Sequence, residues 1–288
     1  MSDKTRVPVY PEGHSGIFDT HAHIYDALRG SDSPVSVEDI LRRASSCGVD
    51  TILVPADNRE TSLRAVELVK KWDGFEGIDL YCSVGVHPHE ATSYDEETEA
   101  FIIDMVNNRD RHKIRAIGEI GLDYYYDHSP RDVQRKVFKR QAELAFKLNI
   151  PFILHERDAA KDCLDILLEL KNVGMLLRSP GVCHCCSCSA EIAKELIKLG
   201  FFIGFDGPLT FKNNKKTPGV LDVCPLEVIV AETDSPYLTP EPNRGMSNEP
   251  CYVPFVVDKI AQIKGITIEE ASRITAQNGK RLFRISEV

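Results

Sequence analysis

Short apolar runs alternate with longer segments of helical period along nearly the whole chain, and this alternation restricts the fold more than any other feature of the sequence. Strands are predicted near Ile17–Thr20, Thr51–Pro55, Leu80–Val86, Ile114–Glu119, Phe152–His155, Val182–His184, Phe201–Phe205 and Val228–Glu232. Parallel strands joined by crossover helices require this arrangement. Val37, Ile40, Leu41, Ala44 and Cys47 lie at helical spacing behind a Ser36 to Asp39 capping pattern, and Gly48 ends the segment. Another helix opens at Ser129-Pro130, passes Val133, Val137, Leu144 and Leu148, and stops at Asn149 ahead of Pro151. The tail holds two helical stretches divided at Gly265, the later one opened by Thr267 with Glu270 three residues on. With no linker or low-complexity segment, the expectation is an α/β fold, a single (β/α)8 barrel over residues 1–288 with an N-terminal extension at 1–15, rather than a doubly wound open sheet.

Charge and thiol content narrow the function. The 35 Lys+Arg against 44 Asp+Glu leave a net charge of -9, which argues against a broad basic surface holding nucleic acid by phosphate neutralisation but leaves open a metal-containing cleft. No apolar run approaches the roughly 20 residues that span a bilayer, and the N-terminal residues lack a signal-peptide core, so the expected setting is cytoplasmic, with a nuclear one open. Nine cysteines are an odd number, and reduced thiols are expected over a disulfide framework.

The chemistry lies at the strand ends. His21 and His23 follow the first strand at i and i+2, so both imidazoles aim to one side, and Asp19 shares their parity and can orient a ligand. A His-x-His pair alone is more often two ordinary surface histidines. The other strand ends reverse that reading: Glu119 closes the fourth run, His155 the fifth, His184 the sixth, and Asp234 follows the eighth. In a barrel these ends converge on one mouth. Four imidazoles and two carboxylates can there hold two divalent ions, Mg2+, Mn2+ or Zn2+, with Glu119 bridging them.

The order of this set resembles the amidohydrolase superfamily. Phe18-Asp19-Thr20-His21-Ala22-His23, Val84-Gly85-Val86-His87-Pro88, Gly118-Glu119-Ile120-Gly121-Leu122-Asp123-Tyr124-Tyr125, His155-Glu156-Arg157 and Glu232-Thr233-Asp234-Ser235-Pro236-Tyr237-Leu238 resemble the motifs of the TatD family of metal-dependent deoxyribonucleases, from about Ile17 to Phe283. The resemblance implies a TIM-type barrel, a two-metal site and hydrolysis of phosphodiesters in DNA. It implies one metal on His21, His23 and Asp234, the other on His155 and His184, Glu119 on both, and phosphate contacts from His87 and Arg157. After the sixth strand the family's usual His-Cys-Phe-Ser-Gly reads His184-Cys185-Cys186-Ser187-Cys188 here, and the usual Arg-Asn pair is separated as Arg244 and Asn248, which leaves both without assigned roles.

Several features stay open at this level. The thiols of Cys183, Cys185, Cys186 and Cys188 suit small packing residues beside His184 better than a zinc or redox cluster, because no second cysteine pair stands at finger-like spacing. Tyr124, Tyr125 and Tyr126 suit stacking on bases or ordinary loop packing. Lys212, Lys215 and Lys216 form a basic loop that meets a DNA backbone or simply faces water. The leading reading is a monomeric deoxyribonuclease, exonucleolytic because a closed barrel mouth admits an end more readily than a continuous duplex, with Asp234 as general base and Arg157 gripping phosphate. A small-molecule amide or phosphoester hydrolase and a catalytically silent interaction protein are the alternatives.

Overall fold

The computed structural model describes residues 7–25 and 35–285, so residues 1–6 of the expected extension lie outside the described residues. Its strands are β1 (Ile17–Asp19), β2 (Val49–Val54), β3 (Asp79–Val84), β4 (Ile114–Asp123), β5 (Phe152–Arg157), β6 (Gly181–Cys183), β7 (Phe202–Phe205) and β8 (Ile229–Ala231). The helices are α1 (Val37–Ser46), α2 (Arg59–Trp72), α3 (Glu96–Asn107), α4 (Arg109–His112), α5 (Arg131–Lys147), α6 (Ala160–Asn172), α7 (Ala190–Lys198), α8 (Lys216–Val223), α9 (Val253–Lys264) and α10 (Ile268–Leu282). All eight strands pair in chain order and in parallel. The seam between β8 and β1 closes through backbone bonds from Thr20 N–H to Ala231 O (3.1 Å), Asp234 N–H to His21 O (2.9 Å) and His23 N–H to Ser235 O (2.8 Å). The sheet is therefore the barrel expected from the alternation. Among the described residues no helix is long and apolar enough to cross a membrane.

Local signals set the element borders. Ser36 Oγ accepts from Asp39 N–H at 3.1 Å to start α1, and Thr267 Oγ1 accepts from Glu270 N–H at 3.1 Å to start α10. Asn58, Asp95 and Ser189 open α2, α3 and α7 in the same way. Gly48 turns the chain from α1 into β2 at φ +84°, where a Cβ would lie 2.2 Å from the carbonyl oxygen of His14. Gly48→Ala is expected to lower the unfolding free energy by more than about 1 kcal/mol, read as a lower urea midpoint; an unchanged midpoint would contradict this packing.

One residue from each strand, Phe18, Leu53, Tyr81, Ala116, Ile153, Val182, Phe202 and Val230, joins a single buried cluster with Leu282 and Phe283 after α10. Strands on opposite sides of a barrel touch only through its interior, so this cluster is the floor beneath the mouth. Side chains alternate along a strand, and positions two or four residues beyond the floor share its inward side: His155, His184, Glu232, Asp234 and Asp206. Glu119 and His21 lie three beyond, and each sits where regularity fails. The β4–β5 register shifts between Ile117 and Ile120, and β1 ends at Asp19. Two expectations change accordingly. β4 runs four residues past Glu119 to Asp123, because Gly118 and Gly121 interrupt the apolar run without ending the pairing. Asp19 does not share an orientation with His21; it faces the seam, where Oδ1 accepts the His21 and Thr233 backbone N–H groups and Oδ2 the Thr233 hydroxyl at 2.6 Å. It fixes the backbone that carries His21 rather than an imidazole.

Candidate metal centre

The six strand-end side chains converge as expected, and Glu119 divides them. Its Oε1 lies 3.2 Å from His21 Nε2 and 3.0 Å from His23 Nε2, while its Oε2 lies 2.8 Å from His184 Nε2 and 3.5 Å from His155 Nδ1. Asp234 Oδ1 completes the first group at 3.6 Å from His21 and 3.7 Å from His23. Ring nitrogens crowd within each group, His21 to His23 at 3.2 Å and His155 to His184 at 3.1 Å.

Hydrogen bonds set which ring atoms offer lone pairs. His155 Nε2 meets Asp123 Oδ2 at 3.1 Å and donates to it, which leaves Nδ1 as a lone pair toward Glu119 and His184. His23 Nδ1 meets the Tyr25 hydroxyl at 3.1 Å, and Nε2 faces the centre. His87 Nδ1 accepts from His89 N–H at 3.1 Å, so the proton of the neutral ring sits on Nε2, 4.0 Å from Glu119 Oε2. His87 thus presents an N–H donor to the mouth.

The two rings of each half differ electrostatically. Burial opposes ionisation of Glu119, but His21 and His184 hold its carboxyl well below the usual range. His21 is lowered to about 3 by burial and the neighbouring His184, whereas Asp57 and Glu119 overcome burial at His23 and push it up to about 10. On the other side His184 is lowered by burial, and Asp123 and Glu119 overcome burial to raise His155 to about 9. Imidazole nitrogens and carboxylate oxygens gathered this closely are a donor set that fits divalent cations.

Three residues with a part in this arrangement escape a reading of strand ends alone. Asp123 lies at the true end of β4, and its Oδ2 receives both His155 Nε2 and His89 Nε2, the latter at 2.9 Å. Asp123→Ala is expected to weaken divalent-ion affinity about 10- to 100-fold by freeing the His155 ring, measured by metal titration of the depleted protein; an unchanged affinity would remove Asp123 from the centre. Glu232 bends over Gly204, where a Cβ would lie 2.5 Å from its carboxylate oxygens, and accepts Cys185 N–H at 2.5 Å. Asp206, at the end of β7, is buried beside it.

At the rim, the Arg157 guanidinium lies over the rings of Tyr125 and Tyr126, 4.1 and 4.7 Å from their centroids, and both tyrosines are exposed. Tyr124 does not join them, because its hydroxyl donates to Asp162 Oδ2 at 2.7 Å and Arg131 covers its ring. Lys216 opens α8, so only Lys212 and Lys215 remain in the basic loop. Arg244 packs on Phe211 and bonds Asn213, while Asn248 is buried and donates to the carbonyls of Thr233 and Tyr237, bracing the loop that carries Asp234. Cys183, Cys186 and Cys188 are buried core residues, with Cys186 and Cys188 Sγ atoms 3.2 Å apart, and among the described residues none of the three joins a group of metal-type donors. Cys185 is half-buried.

A family model described as TatD related DNase matches residues 18–284. A Bacillus subtilis relative named as the uncharacterized metal-dependent hydrolase YabD is 41% identical over 272 residues, covering 94% of this chain and 100% of its own length. The Escherichia coli relative YcfH, also named as an uncharacterized metal-dependent hydrolase, is 35% identical over 270 residues, with 93% and 96% covered. The crystal structure of the Escherichia coli TatD homologue YJJV superimposes with a TM-score of 0.82 at 28% identity, covering 94% of this chain and 99% of that one.

Proposed function

The chain belongs to the TatD-related family of metal-dependent hydrolases, and from that premise we propose that it is a deoxyribonuclease that digests DNA from an end at a centre of two divalent ions. The observation that carries the two-ion reading is the division of Glu119, whose separate oxygens face separate imidazole pairs. His21, His23 and Asp234 would hold one ion, His155 and His184 the other, and Glu119 both. Such ions, Mg2+, Mn2+ or Zn2+, supply when bound the Lewis acidity that activates water and neutralises phosphoryl charge.

The chain's own groups do the rest. Asp234 takes the proton of the attacking water on its carboxylate and later returns it to the leaving oxygen. His87 donates its Nε2–H to a phosphoryl oxygen, and Arg157 grips a phosphate with two parallel hydrogen bonds. Tyr125 and Tyr126 flank that guanidinium and stack on bases, which favours a nucleic acid over a small amide. Every donor comes from one chain, so a monomer suffices.

The test uses metal-depleted protein with end-labelled single- and double-stranded DNA and each ion restored in turn. Shortening of labelled strands from one end only on metal addition is the expected result. Faster hydrolysis of small phosphoesters or amides than of any DNA would replace this reading with the small-molecule one, and no hydrolysis of either would leave an interaction protein.

A further inference from the structure

Behind the Asp234 side of the mouth lies a second cluster of donors that the two-ion reading does not use. One ligand atom each from Cys185, Asp206 and Asp234 lies within 4.8 Å of the others. Asp206 is 2% exposed, and its Oδ2 is buried with no hydrogen-bond partner, although a carboxylate oxygen ordinarily accepts more than one. Glu232 adds another buried carboxylate here, answered by the Cys185 backbone N–H and the Thr20 hydroxyl. Among the described residues no Lys or Arg forms an ion pair with Asp206, Glu232 or Asp234. The adjoining buried carboxylates of Asp206 and Glu232 are costly without a cation of their own, and a thiol placed beside them supplies a donor that a purely acidic pocket lacks.

We propose that Cys185, Asp206 and Asp234 form a third cation site, selective for thiophilic divalent ions such as Zn2+ or Co2+ over Mg2+ and Mn2+. The selectivity follows from the thiolate, a soft ligand that the harder ions avoid. Metal binding would release the Cys185 thiol proton to solvent, and the thiolate with two carboxylates would then form an open three-donor set. The site borrows Asp234 from the centre proposed above and rests on that reading for this one donor. An ion here is placed to draw Asp234 away from its proton-accepting role, so occupancy would alter turnover without occupying the Glu119 positions.

The full chain, metal-depleted and reduced, is titrated with Co2+ while the near-ultraviolet thiolate-to-cobalt charge-transfer band is recorded. The band is expected to saturate by about three equivalents, the histidine-rich pair taking up cobalt as well, in the parent and in the Cys186→Ala/Cys188→Ala double variant, to vanish in Cys185→Ser, and to need at least tenfold more cobalt in Asp206→Ala. A parent without the band, or a Cys185→Ser protein that keeps it, overturns the proposal. Should one variant fail to fold, the other still decides, because each removes a different donor. Manganese content by elemental analysis reads the histidine-rich pair separately: manganese bound without a cobalt–thiolate band sinks the third site alone, and the band without bound manganese sinks the pair alone.

Discussion

Glu119→Ala is expected to strip the centre of metal. The carboxylate is 2% exposed and, among the described residues, is the one anion shared by both imidazole pairs, so its loss would remove a donor from each proposed ion and leave His21, His23, His155 and His184 crowding one another. Disturbing a group that merely orients a ligand costs about 10- to 100-fold in metal affinity, and losing a shared ligand should cost more on both sides. Manganese content of the dialysed variant should fall toward zero, and DNA hydrolysis to the level of the metal-depleted parent. Circular dichroism matching the parent would show that the barrel survives. A folded variant that keeps two manganese ions would place the bridge elsewhere.

Asp234→Asn should have the opposite profile. Asparagine keeps the shape and one ligating oxygen, so manganese content is expected to stay near the parent value, but it cannot accept the proton of the attacking water. Turnover should fall by about 10² to 10⁴, the usual contribution of a general base, while KM for DNA changes little because Arg157 and His87 are untouched. Parent-level hydrolysis with metal in place would show that another group takes the proton. The two variants separate holding metal from moving a proton, although Glu119 and Asp234 face the same pair of rings.

The contrast between these acids also shows how far the sequence could be read. His155 and His184 obey the period of two from a floor residue on their own strand, whereas Asp234 lies past the end of β8 at Ala231, and all three gain meaning as ligands from the other strand ends. His21 and Glu119 break that period. Their orientation depends on the end of β1 at Asp19 and on the register shift in β4, which are properties of neighbouring strands rather than of the local residues. They were legible only as members of a converging set. Asp19 faces the seam for the same reason, because the alternation of side chains does not continue past the end of β1.

What stayed hidden was the outer ring of partners. Asp123 follows two glycines and looks like loop sequence, yet pairing with β5 carries β4 to it and aligns it opposite Arg157. Cys185 and Asp234 adopt left-handed backbone angles, φ +43° and +54°, that no propensity of those residues announces. Such positions are stable only because surrounding bonds over-determine them, here the Glu232 contact to Cys185 N–H and the Asn248 bonds around Asp234. The thiols of Cys183, Cys186 and Cys188 read as packing, and their burial and the donor group that Cys185 joins set them apart from Cys185.

A single carboxylate joining two ions would show in the electron paramagnetic resonance spectrum of the manganese-loaded protein. Two Mn2+ ions bridged by Glu119 are predicted to give an exchange-coupled spectrum at two manganese per chain, lost in Glu119→Ala. The six-line signal of isolated Mn2+ at that same loading would show that Glu119 does not bridge two ions.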